Sequence, residues 1–317
     1  FRPGRNQRQA VEAAQRIVKT GKEYVVDIDL SKFFDRVHHD RLISRLSGLI
    51  SDKRILRIIG LTLRSGVMKD GLVSPTPEGT VQGSPLSPLL SNVVLDELDK
   101  ELERRGLEFC RFADDCNIFV GSEKAANRVM ENIGKFIESK LKLLVNRDKS
   151  RVAMSKYVKF LLMTIIAGTI AISSVSMKRA MAKVKELTPR GTYLTLEKSV
   201  ERINNWYMGW SVYYQITQYP SQLRKIEAHI RRRLRSRLIG QQKRRRYLFD
   251  KLVKRKVHRG LAAKTVFSNQ GRWALSHTRA VERAYSNRFF INEVGLKIRS
   301  AEKHPHWFGP KRWIKVT

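Results

Sequence analysis

The sequence has few cysteines and no long hydrophobic segment. Its 317 residues contain two cysteines, Cys110 and Cys116, which excludes a disulfide framework and a zinc knuckle. The longest apolar run, at positions 160–172, covers about thirteen residues, fewer than the roughly 20 that span a bilayer. It is rich in β-branched residues and holds Ala167 and Gly168 midway, which predicts a buried hairpin. No signal peptide is visible. We interpret both cysteines as small core residues of a protein in a reducing compartment.

Acidic residues are also scarce, with 29 Asp and Glu against 63 Lys and Arg and a formal net charge of +34. A solvated surface does not need this much positive charge. The excess predicts a polyanionic partner, most simply RNA or DNA, bound in a strongly salt-dependent manner. An anionic membrane is the competing partner, but no amphipathic anchor stands out, so we expect no membrane partner.

The most informative stretch is Glu108–Val120, in which apolar residues lead into Asp114 and Asp115 and then out again. This pattern predicts two short strands joined by a tight turn, with both carboxylates at the tip of the hairpin. Adjacent carboxylates repel each other, which is costly unless a cation lies between them or water solvates them. For the pair taken alone, a solvated acidic turn remains the alternative. After this stretch, Ser122 as a cap and Glu123 in the first turn predict a helix from Ser122 to Leu141.

A second stretch, Tyr24–Leu30, alternates apolar and acidic residues with the period of a strand, which puts Asp27 and Asp29 on one face. A carboxylate at the end of one strand and two at the tip of a neighbouring hairpin make a site of hard oxygen ligands. Mg²⁺ prefers such carboxylates together with phosphate oxygens. Two such ions roughly 4 Å apart activate a 3′-hydroxyl and stabilise a leaving pyrophosphate.

Four ordered motifs carry a family resemblance. The motifs are Phe1–Arg5, the stretch around Asp29, Gln82–Pro88 and Phe112–Asp115, in the order found in reverse transcriptases. The residues in and between these motifs resemble those of the maturase–reverse transcriptases encoded by bacterial group II introns. The resemblance extends from Phe1 to about Ile298. The resemblance implies an α+β right-hand polymerase palm, built from an antiparallel sheet with packed helices and followed by an all-α thumb and maturase region.

The composition and the resemblance together predict three parts. Residues 1–175 form the palm with a remnant of the fingers, residues 176–240 the helical thumb and the start of the maturase region, and residues 241–317 its basic C-terminal part. The chain begins inside the family's second motif, so we expect the preceding fingers segment to be missing. The chain ends soon after the maturase region, which resembles the members that lack an endonuclease.

The resemblance assigns the chemistry to three aspartates. Asp29, Asp114 and Asp115 are implied to be catalytic and to hold two Mg²⁺ ions, with the Leu30 carbonyl as an extra ligand. Asp27 stays ambiguous, although the family's spacing favours Asp29. The implied reaction is DNA synthesis on an RNA template, with a dNTP as substrate, target DNA as primer, and group II intron RNA as both template and splicing substrate.

Further residues are implied to bind nucleotide or template, each with a structural alternative. Phe34 is the family's steric gate against a ribose 2′-hydroxyl, or else a core residue. Lys149 acts on the departing pyrophosphate, or else lies on the surface. The other residues implied to bind nucleotide or template are Arg2, Arg5, Gln82 and Gly83. For the two arginines, the alternative is a solvated basic loop. Two departures from the family are visible, because Val81 replaces a usual proline and Leu162 a usual glycine.

Two adjacent histidines and two nearby acids are interpreted as structural. We expect His38 and His39 to cap a helix or to lie on the surface rather than to bind a metal, and Asp35 and Asp40 to serve the same helix.

The C-terminal half is predicted to be helical and to bind RNA. Aromatic residues at helical spacing in positions 203–214 are interpreted mainly as packing groups. Three basic runs interleaved with apolar residues follow, and they favour a surface that binds intron RNA through phosphates and 2′-hydroxyls. The residues proposed for this surface are Arg231, Arg232, Arg233, Arg235, Lys243, Arg244, Arg245 and Arg246.

Two other functions stay open. A splicing cofactor that binds intron RNA without polymerising is favoured by the missing fingers, Val81 and Leu162, whereas the intact aspartates count against it. An RNA-synthesising polymerase is disfavoured by Phe34. In either case we expect a protein of the bacterial cytoplasm, associated with the nucleoid or with ribonucleoprotein, and the sequence does not predict its oligomeric state.

Overall fold

A computed structural model of the chain describes residues 4–65, 67–69, 72–74, 78–79, 86–189 and 191–299. The chain divides into two compact units, residues 1–170 and 171–317. The first unit mixes helices with antiparallel strands, and the described part of the second unit is helical apart from the end of one strand. The predicted α+β class, with a sheet followed by helices, is confirmed.

The first unit alternates helices and strands along the chain. Its helices are α1 (Gln7–Lys19), α2 (His39–Ser47), α3 (Lys53–Arg64), α4 (Ser87–Arg104) and α5 (Glu123–Phe136). Its strands are β1 (Tyr24–Ile28), β2 (Val67–Lys69), β3 (Leu72–Ser74), β4 (Glu108–Phe112), β5 (Asp115–Val120), β6 (Arg151–Met154) and β7 (Met163–Ile166). Strand β8 (Thr169–Ile172) contains the boundary between the units.

Four strands form the sheet that carries the candidate site. Their spatial order is β4-β5-β1-β6, and all neighbours are antiparallel. On one face, Val26, Ile28 and Ile118 join a buried core. Helices α4 and α5 contribute to the same core, and Ser122 caps α5 as predicted, because its side chain accepts a hydrogen bond from the Ala125 N–H. This packing leaves the opposite face to the alternate residues of β1 and β5.

The apolar run at positions 160–172 forms the predicted hairpin of β7 and β8. Its turn residues, Ala167 and Gly168, have φ values of +47° and +69°. A second tight turn precedes it, where the Phe160 and Met163 backbones pair and Leu162 has a φ of +66°. The turn therefore forms although Leu162 replaces the family's glycine, at some conformational cost to a leucine in the left-handed region.

The second unit packs seven helices around an apolar core in its described part. They are α6 (Ser174–Leu187), α7 (Leu196–Tyr214), α8 (Pro220–Gly240), α9 (Arg245–Lys254), α10 (Arg259–Val266), α11 (Arg272–Leu275) and α12 (Arg279–Ala284). The predicted packing role of the aromatic residues of α7 is confirmed, since Tyr207 is buried and Trp206 and Trp210 pack against the core. Among the described residues, no helix is both long and apolar enough to cross a membrane.

Both cysteines are buried, as predicted, with 7% of Cys110 and 2% of Cys116 exposed. Burial raises the pKa of each thiol to about 12. Because the thiolate is the reactive form, we expect neither thiol to react with a thiol-labelling reagent at neutral pH until the protein is unfolded. Mass spectrometry after labelling, with and without guanidinium chloride, tests this, and rapid modification of either thiol in the folded protein would contradict it.

Candidate active site

The register of two central strands brings the acidic residues of the two stretches together. Strand β1 pairs with β5 so that Asp27 lies opposite Asn117 and Ile28 opposite Cys116. The next positions in this register are Asp29 and Asp115. Since directly opposite residues share a face of an antiparallel sheet, Asp27, Asp29 and Asp115 lie on the face away from the helical core.

The Asp114–Asp115 pair lies at the tip of the predicted hairpin. Phe112 of β4 pairs with Asp115 of β5, so that Ala113 and Asp114 form a two-residue turn. Ala113 has a φ of +55°, a left-handed conformation that non-glycine residues adopt mainly in such turns. The turn presents Asp114 beside Asp115 at the end of the sheet where Asp29 follows β1.

The carboxylates of the site lie close enough to repel one another. Asp115 is exposed on one side, but the protein packed around its carboxyl raises its pKa, and Asp114 and Asp29 raise it further against the opposing charge of Lys159. Burial raises the pKa of Asp27 to about 6, with Asp115 and Asp29 adding to the effect and Arg151 opposing it. The site therefore concentrates negative charge that a cation would relieve.

The arrangement does not amount to a closed metal cage. Among the described residues, no group of three or more His, Cys, Asp or Glu side chains is placed to hold a metal ion by itself. Mg²⁺ usually takes one or two carboxylates together with substrate phosphates and waters, and a dedicated all-protein site is uncommon for it. The donor chemistry of hard, mutually repelling carboxylate oxygens therefore fits an ion shared with a phosphate ligand.

A turn after α5 holds the backbone of Asp29 in place. The Asp29 N–H donates to the Ser150 hydroxyl at 3.0 Å, and the Asn146 N–H donates to the Asp29 carbonyl at 2.9 Å. Leu30 forms an antiparallel bridge with Val145. The hydrogen bonds of this bridge come from the flanking residues, so the Leu30 carbonyl points away from this turn, toward the side of β5.

A buried arginine holds the acidic hairpin tip against α4. Arg111 of β4 makes a bidentate ion pair with Asp99 of α4, both contacts at 2.6 Å, and also donates to Asn92 at 3.1 Å. Its Nη1 donates to the carbonyl of Ala113, the left-handed turn residue, at 2.8 Å. One guanidinium therefore joins the helix to the turn that carries Asp114. Sequence reasoning missed Arg111, since a lone arginine in a strand carries no motif.

The aromatic residue assigned as a gate lies in a short 3₁₀ turn after Asp29. Phe34 is half-buried beside Phe33, with ring centroids 5.2 Å apart. Gly79, at a φ of +93°, packs so closely on this turn that an added Cβ would lie 2.8 Å from the Phe34 carbonyl oxygen. The prediction for His39 is wrong, because its ring is buried and its Nε2 donates to the Gly79 carbonyl at 2.5 Å. His38 is exposed and precedes α2 at the N-cap position, where its side chain makes no capping hydrogen bond.

Two of the other residues assigned to nucleotide and template lie on the surface. Arg5 and Lys149 are exposed, and Lys149 belongs to the turn that holds Asp29. Arg2, Gln82 and Gly83 lie outside the described residues. Lys159, exposed and close enough to act on Asp115, went unnoticed in the sequence, where nothing distinguishes it from the many other lysines.

The predicted RNA-binding arginines do not share one environment. Arg235 differs from the expected solvated face, because it is buried and donates to the Tyr285 carbonyl at 2.9 Å and to Glu282 at 3.1 Å. The arginines immediately before it, at positions 231–233, are half-buried. The second basic run, at positions 243–246, is exposed throughout, although Arg245 also donates to the Ser268 carbonyl at 2.6 Å.

Comparison with known proteins extends over both units. Residues 1–165 match the family described as reverse transcriptase (RNA-dependent DNA polymerase), and residues 177–257 match the group II intron, maturase-specific domain. Protein YkfC of Escherichia coli (strain K12) is 30% identical over 190 residues, covering 48% of this chain and 50% of YkfC. The group II intron-encoded protein LtrA of Lactococcus lactis subsp. cremoris is 30% identical over 154 residues, covering 49% of this chain and 24% of LtrA.

The chain thus spans half or less of the length of these two relatives. Among solved structures, telomerase from Candida tropicalis with a fragment of telomeric RNA aligns with a TM-score of 0.42 and 13% identity. That alignment covers 83% of this chain and 52% of the telomerase chain.

Replacing Arg111 by Met is expected to lower the free energy of unfolding of the first unit by about 3–5 kcal/mol, because a buried carboxylate loses its bidentate partner. Guanidinium unfolding measures the change. The control is Arg104→Met, which removes an exposed arginine paired with Glu101 and should cost at most about 1 kcal/mol. Adding Asp99→Leu to Arg111→Met should recover part of the loss, and an Arg111→Met variant as stable as the control would contradict the buried role.

Proposed function

Since the chain belongs to the reverse transcriptase (RNA-dependent DNA polymerase) family and carries a group II intron maturase-specific domain, we propose that it is an RNA-directed DNA polymerase that also binds intron RNA. Its first unit carries the polymerase site and its second unit supports splicing and mobility of a group II intron. The observation that carries the polymerase proposal is the β1–β5 register, which sets Asp29 opposite Asp115 beside the Asp114 turn.

Asp29, Asp114 and Asp115 are the proposed ligands of two Mg²⁺ ions, with the Leu30 carbonyl as an additional donor. When bound, the ions lower the pKa of the primer 3′-hydroxyl and neutralise charge on the phosphates. The support from the structure is the raised pKa of Asp115, which burial and the neighbouring carboxylates of Asp114 and Asp29 cause against the charge of Lys159, together with oxygen donors of the type that Mg²⁺ takes.

The proposed reaction is transfer of a nucleotide to a primer. The 3′-oxygen of the primer bonds to the α-phosphorus of a dNTP, the bond to the β-phosphate oxygen breaks, and pyrophosphate leaves. Arg5 and Lys149 are proposed to bind the triphosphate, and Lys149 to neutralise or protonate the leaving pyrophosphate. Lys159, which the sequence did not single out, lies near Asp115 and adds positive charge beside the carboxylates.

The proposed sugar gate is Phe34, whose half-buried ring packs beside Phe33 and whose backbone lies against Gly79. A ring that packs under the sugar would leave no room for the 2′-hydroxyl of a ribonucleotide. The 3₁₀ turn that contains Phe34 begins four residues after Asp29, so the proposed gate follows a proposed metal ligand closely in the sequence. Substrate choice is therefore proposed to rest on a steric contact rather than on a hydrogen bond.

RNA binding is proposed for the second unit. The exposed run Lys243–Arg246 offers donors to RNA phosphates, and the half-buried Arg231 and Arg232 are proposed to add to them. Arg233 and Arg235 instead donate to oxygens of the protein itself. Binding through phosphates releases counterions, so the affinity is expected to fall steeply with salt. Group II intron RNA, target DNA and dNTP are the proposed partners.

A splicing cofactor without polymerase activity is the second candidate. The match of residues 177–257 to the maturase-specific domain favours it, since RNA binding by the second unit does not require the polymerase site. The left-handed backbone of Leu162 counts against it, since the turn at the usual glycine still forms. Val81 lies outside the described residues.

Asp114→Ala is expected to reduce primer extension on an RNA template by about 100-fold or more, because losing one metal ligand costs roughly 3 kcal/mol of transition-state stabilisation. Glu103→Ala, which removes an exposed carboxylate from α4, is the matched control and should extend normally. A splicing assay with both variants completes the test. Splicing by Asp114→Ala, with no extension by any form of the protein, would favour the cofactor function instead.

Phe34→Ala is expected to increase the use of rNTPs relative to dNTPs by about tenfold, because a steric contact with one hydroxyl is worth on the order of 1–2 kcal/mol. Single-nucleotide extension with each nucleotide class measures the ratio. Phe34→Tyr keeps the ring and should keep the preference for dNTPs. An unchanged ratio in Phe34→Ala would assign Phe34 to the core.

A further inference from the structure

A basic cavity of about 410 Å³ lies within the second unit, between the C-terminal half of α8, the end of α6 and α11. Among the described residues, three arginines line it, Arg233, Arg237 and Arg272, together with Trp273. None of the described residues that line it is Asp or Glu. The volume is within the range of pockets that bind small ligands.

The arginine on the α8 side is held in place by neutral acceptors. Arg237 donates from Nη1 to the Ser199 hydroxyl at 2.6 Å and from Nη2 to the Leu194 carbonyl. Burial lowers its pKa, and Glu197 opposes this only in part. Bonds to neutral oxygens fix the orientation of the guanidinium without cancelling its charge, so its charge is already oriented before an anion binds.

The arginine on the opposite wall is exposed and packs on glycine. A Cβ added to Gly240 would lie 2.7 Å from Nη1 of Arg272 and 3.3 Å from its Cδ. A larger residue at position 240 would displace the end of the Arg272 side chain, so the glycine lets the guanidinium lie against α8. Within the part of the chain that the structure describes, no salt bridge of Arg272 is seen.

The tryptophan offers an aromatic surface next to these charges. Trp273 is 38% exposed, and the guanidinium of Arg232 lies 4.0 Å over the centre of its ring. Arg232 also donates to the Trp273 carbonyl at 3.3 Å, so the stack is tied to the backbone. One face of the indole is covered in this way, and the ring of His229 lies 6.0 Å from it with the two planes at 70°.

We propose that this cavity receives a single unpaired nucleotide of RNA, with its phosphate on Arg237 and Arg272 and its base stacked on Trp273. The proposal rests on the proposed RNA binding of the second unit and goes beyond it by naming a recessed site. Unpaired RNA bases splay out and stack on aromatic side chains, whereas bases inside a duplex do not. The exposed run Lys243–Arg246 would then bind phosphates without regard to pairing.

The test uses the full chain and a fluorescent 20-nucleotide oligouridylate, with anisotropy titrations at several KCl concentrations. Trp273→Ala is expected to weaken binding by about 5- to 30-fold, because stacking of one base is worth roughly 1–2 kcal/mol. Trp273→Phe keeps an aromatic ring and should retain most of the affinity. Thermal unfolding of both variants identifies any loss of fold, and the Phe variant keeps the test valid if the Ala variant does not fold.

The phosphate contact has its own variants. Arg272→Ala should lower the slope of log K against log salt by about one, as expected for one lost phosphate contact. Gly240→Ala displaces the Arg272 guanidinium while keeping the net charge, and should weaken binding comparably. The matched control is Arg224→Ala, an exposed arginine of α8 outside the cavity, which should change the affinity less.

Two results would separate failure of the site from failure of the function. If Trp273→Ala and Arg272→Ala bind as the unchanged protein does while Lys243→Ala/Arg244→Ala binds weakly, the cavity proposal is overturned and RNA binding stands. If the unchanged protein binds no RNA, the proposed function itself fails. The last arm repeats the titration with a 20-base-pair RNA duplex. If Trp273→Ala weakens binding of the duplex as much as binding of the single strand, insertion of an unpaired base is overturned.

Discussion

The candidate active site depends on the pairing register of β1 and β5. In this register Asp27 lies opposite Asn117 and Ile28 opposite Cys116. The next position therefore sets Asp29 opposite Asp115. A slip of one residue would turn the acidic set into the helical core and the apolar set out of it, because side chains alternate between the faces. The burial of Val26, Ile28 and Ile118 on the core face therefore specifies the register that brings the carboxylates together.

Holding several carboxylates together opposes their mutual repulsion, and the first unit does so with contacts behind the site. Ser150 and Asn146 hold the backbone at Asp29, and Arg111 holds the turn before Asp114 against α4. These contacts act on backbone atoms, so the carboxylate oxygens remain available to a ligand. The raised pKa of Asp115 is the electrostatic consequence of this construction.

The same distinction between framework and available charge runs through the arginines of the second unit. In one basic run, Arg235 is buried against Tyr285 and Glu282, whereas its neighbours at positions 231–233 are half-buried. A run of identical charges on a helix places its members on different faces every 100° or so, so composition alone cannot separate the structural members from those that meet a ligand. Arg237 and Arg272 gain their arrangement only from the packing of α8 against α11.

Much of the fold could be predicted from local patterns. Alternation predicted β1 and the β4–β5 hairpin, the short β-branched run predicted β7 and β8, and Ser122 marked the start of α5, since each is a property of neighbouring residues. The division into three parts stays a prediction beside the two units that the structure shows. Local reasoning failed at His39, whose ring bonds to Gly79 forty residues further along the chain, and it passed over Arg111 and Lys159, which carry no motif.

By itself, then, the sequence determined two features of this protein. One is its strong excess of positive charge, and the other is the presence of acidic residues at a strand end and at a hairpin tip. Those features are fixed by residue type and by short-range periodicity. Only the tertiary structure decided which acids face each other, which arginine holds the turn and which guanidiniums line a cavity. Such pairings join residues far apart in the chain, and their energies arise only when the strands and helices pack.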